Sequence, residues 1–288
     1  MKDKYSAVWL SYSSISDYLK CPRAYYLKNM YRDPKTNHKM TLMSPALALG
    51  QAVHDVVESL SNLPVEDRLK ESLMSKLDTS WKPVSGKFGG FQSVEEEEQY
   101  KERGRQMLRR VMDHPGPILR KAVKIRQELP YYWLSEEDNI ILCGRLDWLE
   151  YLENTDSVRI IDFKTGKFDE DPDSLQLPIY HLLTANCQTR KVAGAQYWYL
   201  NRDSEPVDVV LPSLSDAETR VMEIAKKVSL ARKLERFICK SKDGCMFCKP
   251  LESVVDGKAE YVGENSYHQD VYVMHRASKV DQPTEDIL

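Results

Sequence analysis

The segment Val158-Arg159-Ile160-Ile161-Asp162-Phe163-Lys164 constrains this chain more than any other. In an extended strand residues two apart share a face, so Asp162 and Lys164 project one way while Ile161 and Phe163 project the other. An acid and a cation inside an otherwise apolar strand are poor structural choices unless they are used, because buried charge must be paired or bound. The preceding run, 140–149, is also strand-like, and Glu153-Asn154-Thr155-Asp156-Ser157 between the two is rich in turn formers. The spacing therefore predicts a hairpin that brings Asp147, in Gly144-Arg145-Leu146-Asp147, beside Asp162.

Two carboxylates held that close repel unless a cation neutralises them, and hard oxygen donors suit Mg2+ or Mn2+. Lys164 beside them could hold an attacking water or stabilise charge growing on phosphorus. Taken singly, each acid reads as a turn cap or a solvated strand end. The joint pattern departs from that reading and points to metal-assisted phosphodiester chemistry.

At 288 residues the chain can bury one large core, or a core with an accessory lobe. Charged residues make up 30% and apolar residues 42%, and no run has transmembrane length, so no membrane association is expected. The Met1-Lys2-Asp3-Lys4 start lacks an apolar signal segment, which gives the expectation of an intracellular, cytoplasmic protein. The net charge is only -3, so nucleic-acid binding would need a local basic surface. Basic clusters occur at Arg103, Arg105, Arg109 and Arg110, at Arg120, Lys121, Lys124 and Arg126, and along 226–236. Each reads equally as the wet face of a helix.

Six cysteines in such a setting are ligands or buried thiols rather than disulfides. Cys143 and Cys187 sit in apolar or helical stretches, whereas Cys239, Cys245 and Cys248 crowd into ten residues, as a metal would require.

Along the chain, residues 13–17 read as a helix start with Ser14 as cap, broken near Cys21-Pro22. A second helix over 44–60 carries Leu49, Val53, Val56 and Leu60 on its apolar side, with Gly50, His54 and Glu58 at spacings of four. A helix-interior glycine costs roughly 1 kcal/mol against alanine and makes sense where something approaches the backbone closely. His54 on that stripe reads either as a packed histidine or as a metal ligand. Residues 62–120 are polar and read as a helical insertion without a chemical motif. Residues 123–129 alternate like a strand, with Glu128 sharing a face with two cations. A helix over 174–186 puts Gln176 and Tyr180 on one face, close enough after Lys164 to line the same cleft. Strands at 192–201 and 207–211, a long amphipathic helix at 215–237, a last strand at 270–274 and a disordered tail complete the expectation. There is no internal repeat and no Walker-type phosphate loop.

Together, Ser13-Ser14 with Cys21-Pro22, Gly50-Gln51-Ala52-Val53-His54, Gly144-Arg145-Leu146-Asp147, Ile161-Asp162-Phe163-Lys164-Thr165-Gly166 and Gln176-Leu177-Pro178-Ile179-Tyr180 resemble the RecB-type nucleases of the PD-(D/E)XK superfamily. The likeness is closest to the branch with CRISPR-associated and AddB-like exonucleases, and it covers 13–248 in order. It implies an α/β (α+β) fold of restriction-endonuclease type: a mixed central sheet flanked by helices, with a helical insertion and a C-terminal cysteine-cluster segment. The expected organisation is N-terminal helices at 1–60, the insertion at 61–120, the nuclease core at 121–212, a helix with the cysteine cluster at 213–255 and a polar tail at 256–288.

Carried over by position, the resemblance implies His54, Asp147, Asp162 and the Phe163 carbonyl as ligands of Mg2+ or Mn2+. It implies Lys164 as the catalytic lysine, Gln176 and Tyr180 as residues orienting lysine and substrate, and Glu128 as an acid on the preceding strand. It further implies that Cys21, Cys239, Cys245 and Cys248 hold a 4Fe-4S cluster stapling the chain ends. Here the longer cysteine gap precedes the close pair, the reverse of the family order, so zinc is the alternative.

The expected activity is hydrolysis of DNA, single-stranded and from an end, in repair, recombination, phage replication or CRISPR adaptation, with a helicase or a recombination or CRISPR protein as partner. Two other classes stay open. One is a nucleic-acid-binding subunit that does not cleave; the other is an iron-sulfur electron carrier, which leaves the strand acids and lysine unexplained.

Overall fold

The computed structural model describes residues 3–274. The first half of the chain forms β1 (Val8–Leu10), α1 (Tyr12–Lys20), α2 (Pro22–Asn29), β2 (Lys39–Leu42), α3 (Pro45–Ser59), α4 (Leu73–Trp81), α5 (Val94–Asp113), β3 (Tyr131–Ser135) and β4 (Ile140–Cys143). The second half forms β5 (Trp148–Leu152), β6 (Ser157–Lys164), α6 (Gln176–Cys187), β7 (Lys191–Tyr199), β8 (Val207–Val209), α7 (Leu214–Lys233), α8 (Lys249–Val255), β9 (Glu260–Glu264) and β10 (Gln269–Val273).

The central sheet has the order β5-β6-β7-β8, with β6 and β7 parallel and the two outer pairs antiparallel. Its faces separate by the pleat. Ile160 joins Leu149, Ala195 and Tyr197 in a core shared with α6, α7 and α1. Ile161 and Phe163 join Trp148 and Trp198 in a second core, against Leu49, Val53 and Val57 of α3, Leu77 of α4 and Leu108 of α5. Residues 61–120 thus supply much of the layer covering one sheet face. Phe163 is the pivot, its ring 6.3 Å from Trp148, 5.9 Å from Trp198 and 6.4 Å from His54. Truncating such a buried aromatic costs about 3–5 kcal/mol.

The hairpin predicted from the turn-rich 153–157 segment forms, with Asp156 in a left-handed conformation (φ 43°) at the turn. Its register ends with Trp148 opposite Ile161, and one further step places Asp147 opposite Asp162. α6 is buried nearly all round, from Gln176 to Thr184, as a helix between a sheet and another helix must be.

Four local expectations are corrected. The 140–149 run is not one strand: β4 lies between β1 and β3 in a separate sheet, and the chain crosses to the central sheet through Gly144 to Asp147. Gly144 permits that crossing, because a Cβ there would meet Leu183 Cδ1 at 3.1 Å. The 123–129 alternation yields no strand, only a bridge between Ala122 and Glu150. Both edges of β4 are already filled, and Lys124, Arg126 and Glu128 turn to solvent instead. The cap of α1 is Ser11, three residues before Ser14, which reaches back from the third position in a capping box. Finally, 256–274 is not all tail: the expected last strand forms as β10 and lies between β2 and β9 in a third sheet. The disorder expected further on concerns residues outside those described.

Candidate metal centres

The first centre forms where β5 begins, β6 ends and α3 passes over them. Asp147 Oδ2 accepts the Phe163 N–H at 2.9 Å and lies 3.5 Å from His54 Nδ1. His54 Nδ1 is also 3.0 Å from Glu58 Oε1, one helical turn along α3. His54, Glu58 and Asp147 offer ligand atoms that all lie within 4.8 Å of one another. The approach of α3 to the strand explains Gly50, where a Cβ would come 3.3 Å from Thr165 Oγ1. A strand residue directs its N–H and C=O to the same side, so the Phe163 carbonyl also faces the Asp147 side, beyond the last β5 pair.

Asp162 is buried opposite Asp147. Its Oδ1 accepts the Gln176 amide at 2.8 Å, while Oδ2 lies 3.0 Å from Lys164 Nζ but forms no hydrogen bond of good geometry among the described residues. Gln176 bridges acid and lysine, since Lys164 donates to its Oε1. The same Gln176 amide stands 3.4 Å from the Tyr180 hydroxyl. Lys164 has a further partner in Glu170, at 2.9 Å.

Burial dominates the electrostatics. It pushes Asp147 up to about 8, with Asp162 adding and His54 opposing. Burial also raises Asp162, against the pull of Lys164. For His54 burial acts downward, but Asp147 and Glu58 outweigh it and hold the imidazole up at about 9. The buried Tyr180 hydroxyl stays well above its ordinary value, hence neutral. The cluster therefore retains a proton at neutral pH that a divalent cation would displace. The donor set of His54, Glu58 and Asp147 fits Mg2+ or Mn2+; Asp162, whose Oδ2 is an orphaned buried oxygen, stands outside that group of three.

Beside Asp147 and Glu58 a cavity of about 460 Å³ opens, whose wall includes Arg145, Lys124, Arg126 and Glu128. Glu128 is exposed there and stands outside the ligand cluster. The other basic clusters are largely satisfied within the protein. Arg105 and Arg109 pair with Glu98 and Glu102, Arg120 with Glu150, Lys121 with Glu153, and Lys226 with Asp138. Lys124, Arg126 and Arg145 make no ion pair or side-chain hydrogen bond among the described residues.

The second centre joins the chain's two ends. Cys21, between α1 and α2, meets Cys239, Cys245 and Cys248, with all four sulfurs within 4.8 Å of one another. All are free thiols. Gly244 (φ 81°) makes the turn, and a Cβ there would meet Glu252 Oε2 at 3.0 Å and Cys248 Sγ at 3.3 Å. Backbone N–H groups of Phe247 and Cys248 pull the Cys245 thiol down to about 6, whereas burial pushes Cys248 up to about 12. A thiol already biased toward thiolate, among three others, is a soft-metal donor set. Cys143 and Cys187 lie outside this group.

Three residues here were not singled out from sequence. Glu58 was legible, since it lies on the Gly50–His54 stripe. Glu170 and Tyr12 carried no signal, because one sits in an acidic loop and the other in a tyrosine-rich helix.

No helix among the described residues is long and apolar enough to cross a membrane. A comparison with curated proteins gives no match. The family profile described as the PD-(D/E)XK nuclease superfamily matches residues 9–251, which contain both centres. The chain belongs to the PD-(D/E)XK nuclease superfamily, whose members are typically nucleases that use divalent metals.

Proposed function

We propose that this protein is a metal-dependent deoxyribonuclease that digests single-stranded DNA from an end. What supports the nuclease reading is that Asp147 lies 3.5 Å from His54 and one register step past the last β5–β6 pair, opposite Asp162, while Gln176 ties Asp162 to Lys164. A divalent cation held by His54, Asp147, Asp162 and the Phe163 carbonyl would supply Lewis-acid polarisation of the scissile phosphate and a more acidic water. Glu58 orients His54 or joins the ligand set. The Lys164 ammonium is placed to orient the attacking water and to offset charge growing on phosphorus. Gln176 holds lysine and acid in register, with Tyr180 beneath it as a neutral hydroxyl. Lys124, Arg126 and Arg145 supply cations for the approaching strand. Glu128, on the same wall, tunes strand entry rather than binding the catalytic ion.

The resemblance to the RecB-type branch carries the exonuclease and single-strand reading and the association with a helicase, recombination or CRISPR partner in the cytoplasm. A time course on DNAs labelled at either end, with a circular substrate alongside, tests it. End-dependent loss of linear strands with the circle intact supports it. Cleavage of the circle makes the enzyme an endonuclease, and no cleavage with Mg2+ or Mn2+ leaves a binding subunit.

For the cysteine centre the same resemblance favours a 4Fe-4S cluster as a structural staple. One observation favours a single zinc ion: the Cys245 and Cys248 sulfurs are 3.8 Å apart, near the edge of about 3.8 Å of a tetrahedron with Zn–S of about 2.3 Å. A cubane holds its four thiolates further apart than one ion does. Iron, sulfide and zinc content of the purified protein separates the two.

A further inference from the structure

Lys164 has more negative partners than it can keep when a cation is bound. Its ammonium lies 3.0 Å from Asp162 and 2.9 Å from Glu170. Asp162 is also the acid with an orphaned oxygen. A cation that draws on Asp162 leaves Glu170 as the remaining counter-charge of the lysine.

Glu170 is built in rather than solvated. The Tyr12 hydroxyl, from α1, donates to its Oε1 at 2.8 Å, and its own N–H donates to the Tyr199 hydroxyl at 3.0 Å. The Ser174 hydroxyl donates to Tyr12 at 3.1 Å and accepts the Gln176 N–H at 3.2 Å, closing the network onto α6. The ammonium also stands 4.9 Å from the centre of the Tyr197 ring. An acid that merely solubilised its loop would need none of these contacts. Neighbouring Asp169 shows that ordinary role, pairing with Arg202 at the surface.

We propose that Glu170, fixed by Tyr12, is a positioning residue that keeps the Lys164 ammonium aimed into the cleft while Asp162 engages a cation. This rests on the nuclease reading of the site. The full chain is compared with Glu170→Gln, Glu170→Asp and Tyr12→Phe, all with Mn2+, for kcat and KM on single-stranded DNA. In parallel, labelling of Lys164 by an amine-reactive ester is followed by peptide mass spectrometry.

Glu170→Gln lowers kcat roughly 10- to 100-fold with KM unchanged, as expected for a residue acting through another. It also exposes Lys164 to faster labelling; Glu170→Asp recovers part of both, and Tyr12→Phe shows a smaller loss. Wild-type kcat in Glu170→Gln overturns the proposal, as does a kcat loss with unchanged Lys164 labelling. If the wild-type chain itself fails to cleave, the nuclease reading falls. The labelling contrast then decides the positioning role alone, equal labelling of Glu170→Gln and wild type overturning it.

Discussion

Asp147 Oδ2 accepts the backbone N–H of Phe163 at 2.9 Å. The bond falls just past the last β5–β6 pair, so the side chain takes over a ladder position that the backbone has vacated. Asp147 is thereby fixed against the strand that carries Asp162 and Lys164, and beside His54 3.5 Å away. The cost is a crowded, buried charge cluster that holds on to its protons.

Metal-free stability falls as pH rises from about 6.5 to about 9. His54 in the folded protein keeps its proton to about 9 against 6.5 unfolded, so its contribution is full below 6.5 and lost through 9. Asp147 keeps its proton to about 8 against 3.8 unfolded, so its contribution already falls above 3.8 and is lost through about 8, adding to the His54 loss between 6.5 and 8. A cation must displace those protons, so the rise in Tm on adding Mn2+ grows with pH across the same range. Thermal scans at pH 6, 7, 8 and 9 with and without Mn2+ check this; a pH-independent Mn2+ effect contradicts it.

Gln176 and Tyr180 differ in weight although they share a helix face. Gln176 makes the bonds to both Lys164 and Asp162, whereas among the described residues the Tyr180 hydroxyl has one hydrogen-bond contact, the Gln176 amide at 3.4 Å. Gln176→Ala therefore lowers kcat by roughly 10- to 100-fold, and Tyr180→Phe by severalfold at most. Steady-state kinetics of both variants test the ranking, and a larger loss in Tyr180→Phe reverses the assignment.

Gly244→Ala strains the cysteine centre. A left-handed backbone costs a residue with a Cβ about 1–2 kcal/mol, and here the methyl also meets Glu252 and Cys248 Sγ. The variant has a lower Tm and less bound metal at the thiolates. Full metal content at wild-type Tm would show that the loop tolerates the change.

The legibility of this molecule follows the range of its interactions. The β5–β6 hairpin, α3 with its Gly50-His54-Glu58 stripe and the Gln176–Tyr180 face were legible because period and turn chemistry are local. The four cysteines came together through the resemblance, since no local pattern links Cys21 to Cys239. What was hidden is non-local. The 123–129 segment alternates like a strand, but β1 and β3 already occupy both edges of β4. The 140–149 run conceals a change of sheet at Gly144. β2 finds its partner in β10, far along the chain, and Glu170 matters only because its loop folds back over Lys164.

The most direct measurement of the central claim is Mn2+-dependent digestion of end-labelled single-stranded DNA by the wild-type chain, Asp162→Asn and Lys164→Ala. Asp162→Asn keeps a side-chain oxygen for the Gln176 amide and leaves Glu170 as the counter-charge of Lys164, so the variant stays folded, which its metal-free Tm checks. Wild type digests the strand rapidly, Asp162→Asn shows no detectable digestion, and Lys164→Ala loses roughly 10²–10³-fold, as for removal of one transition-state donor. Digestion by folded Asp162→Asn at the wild-type rate would contradict the central claim.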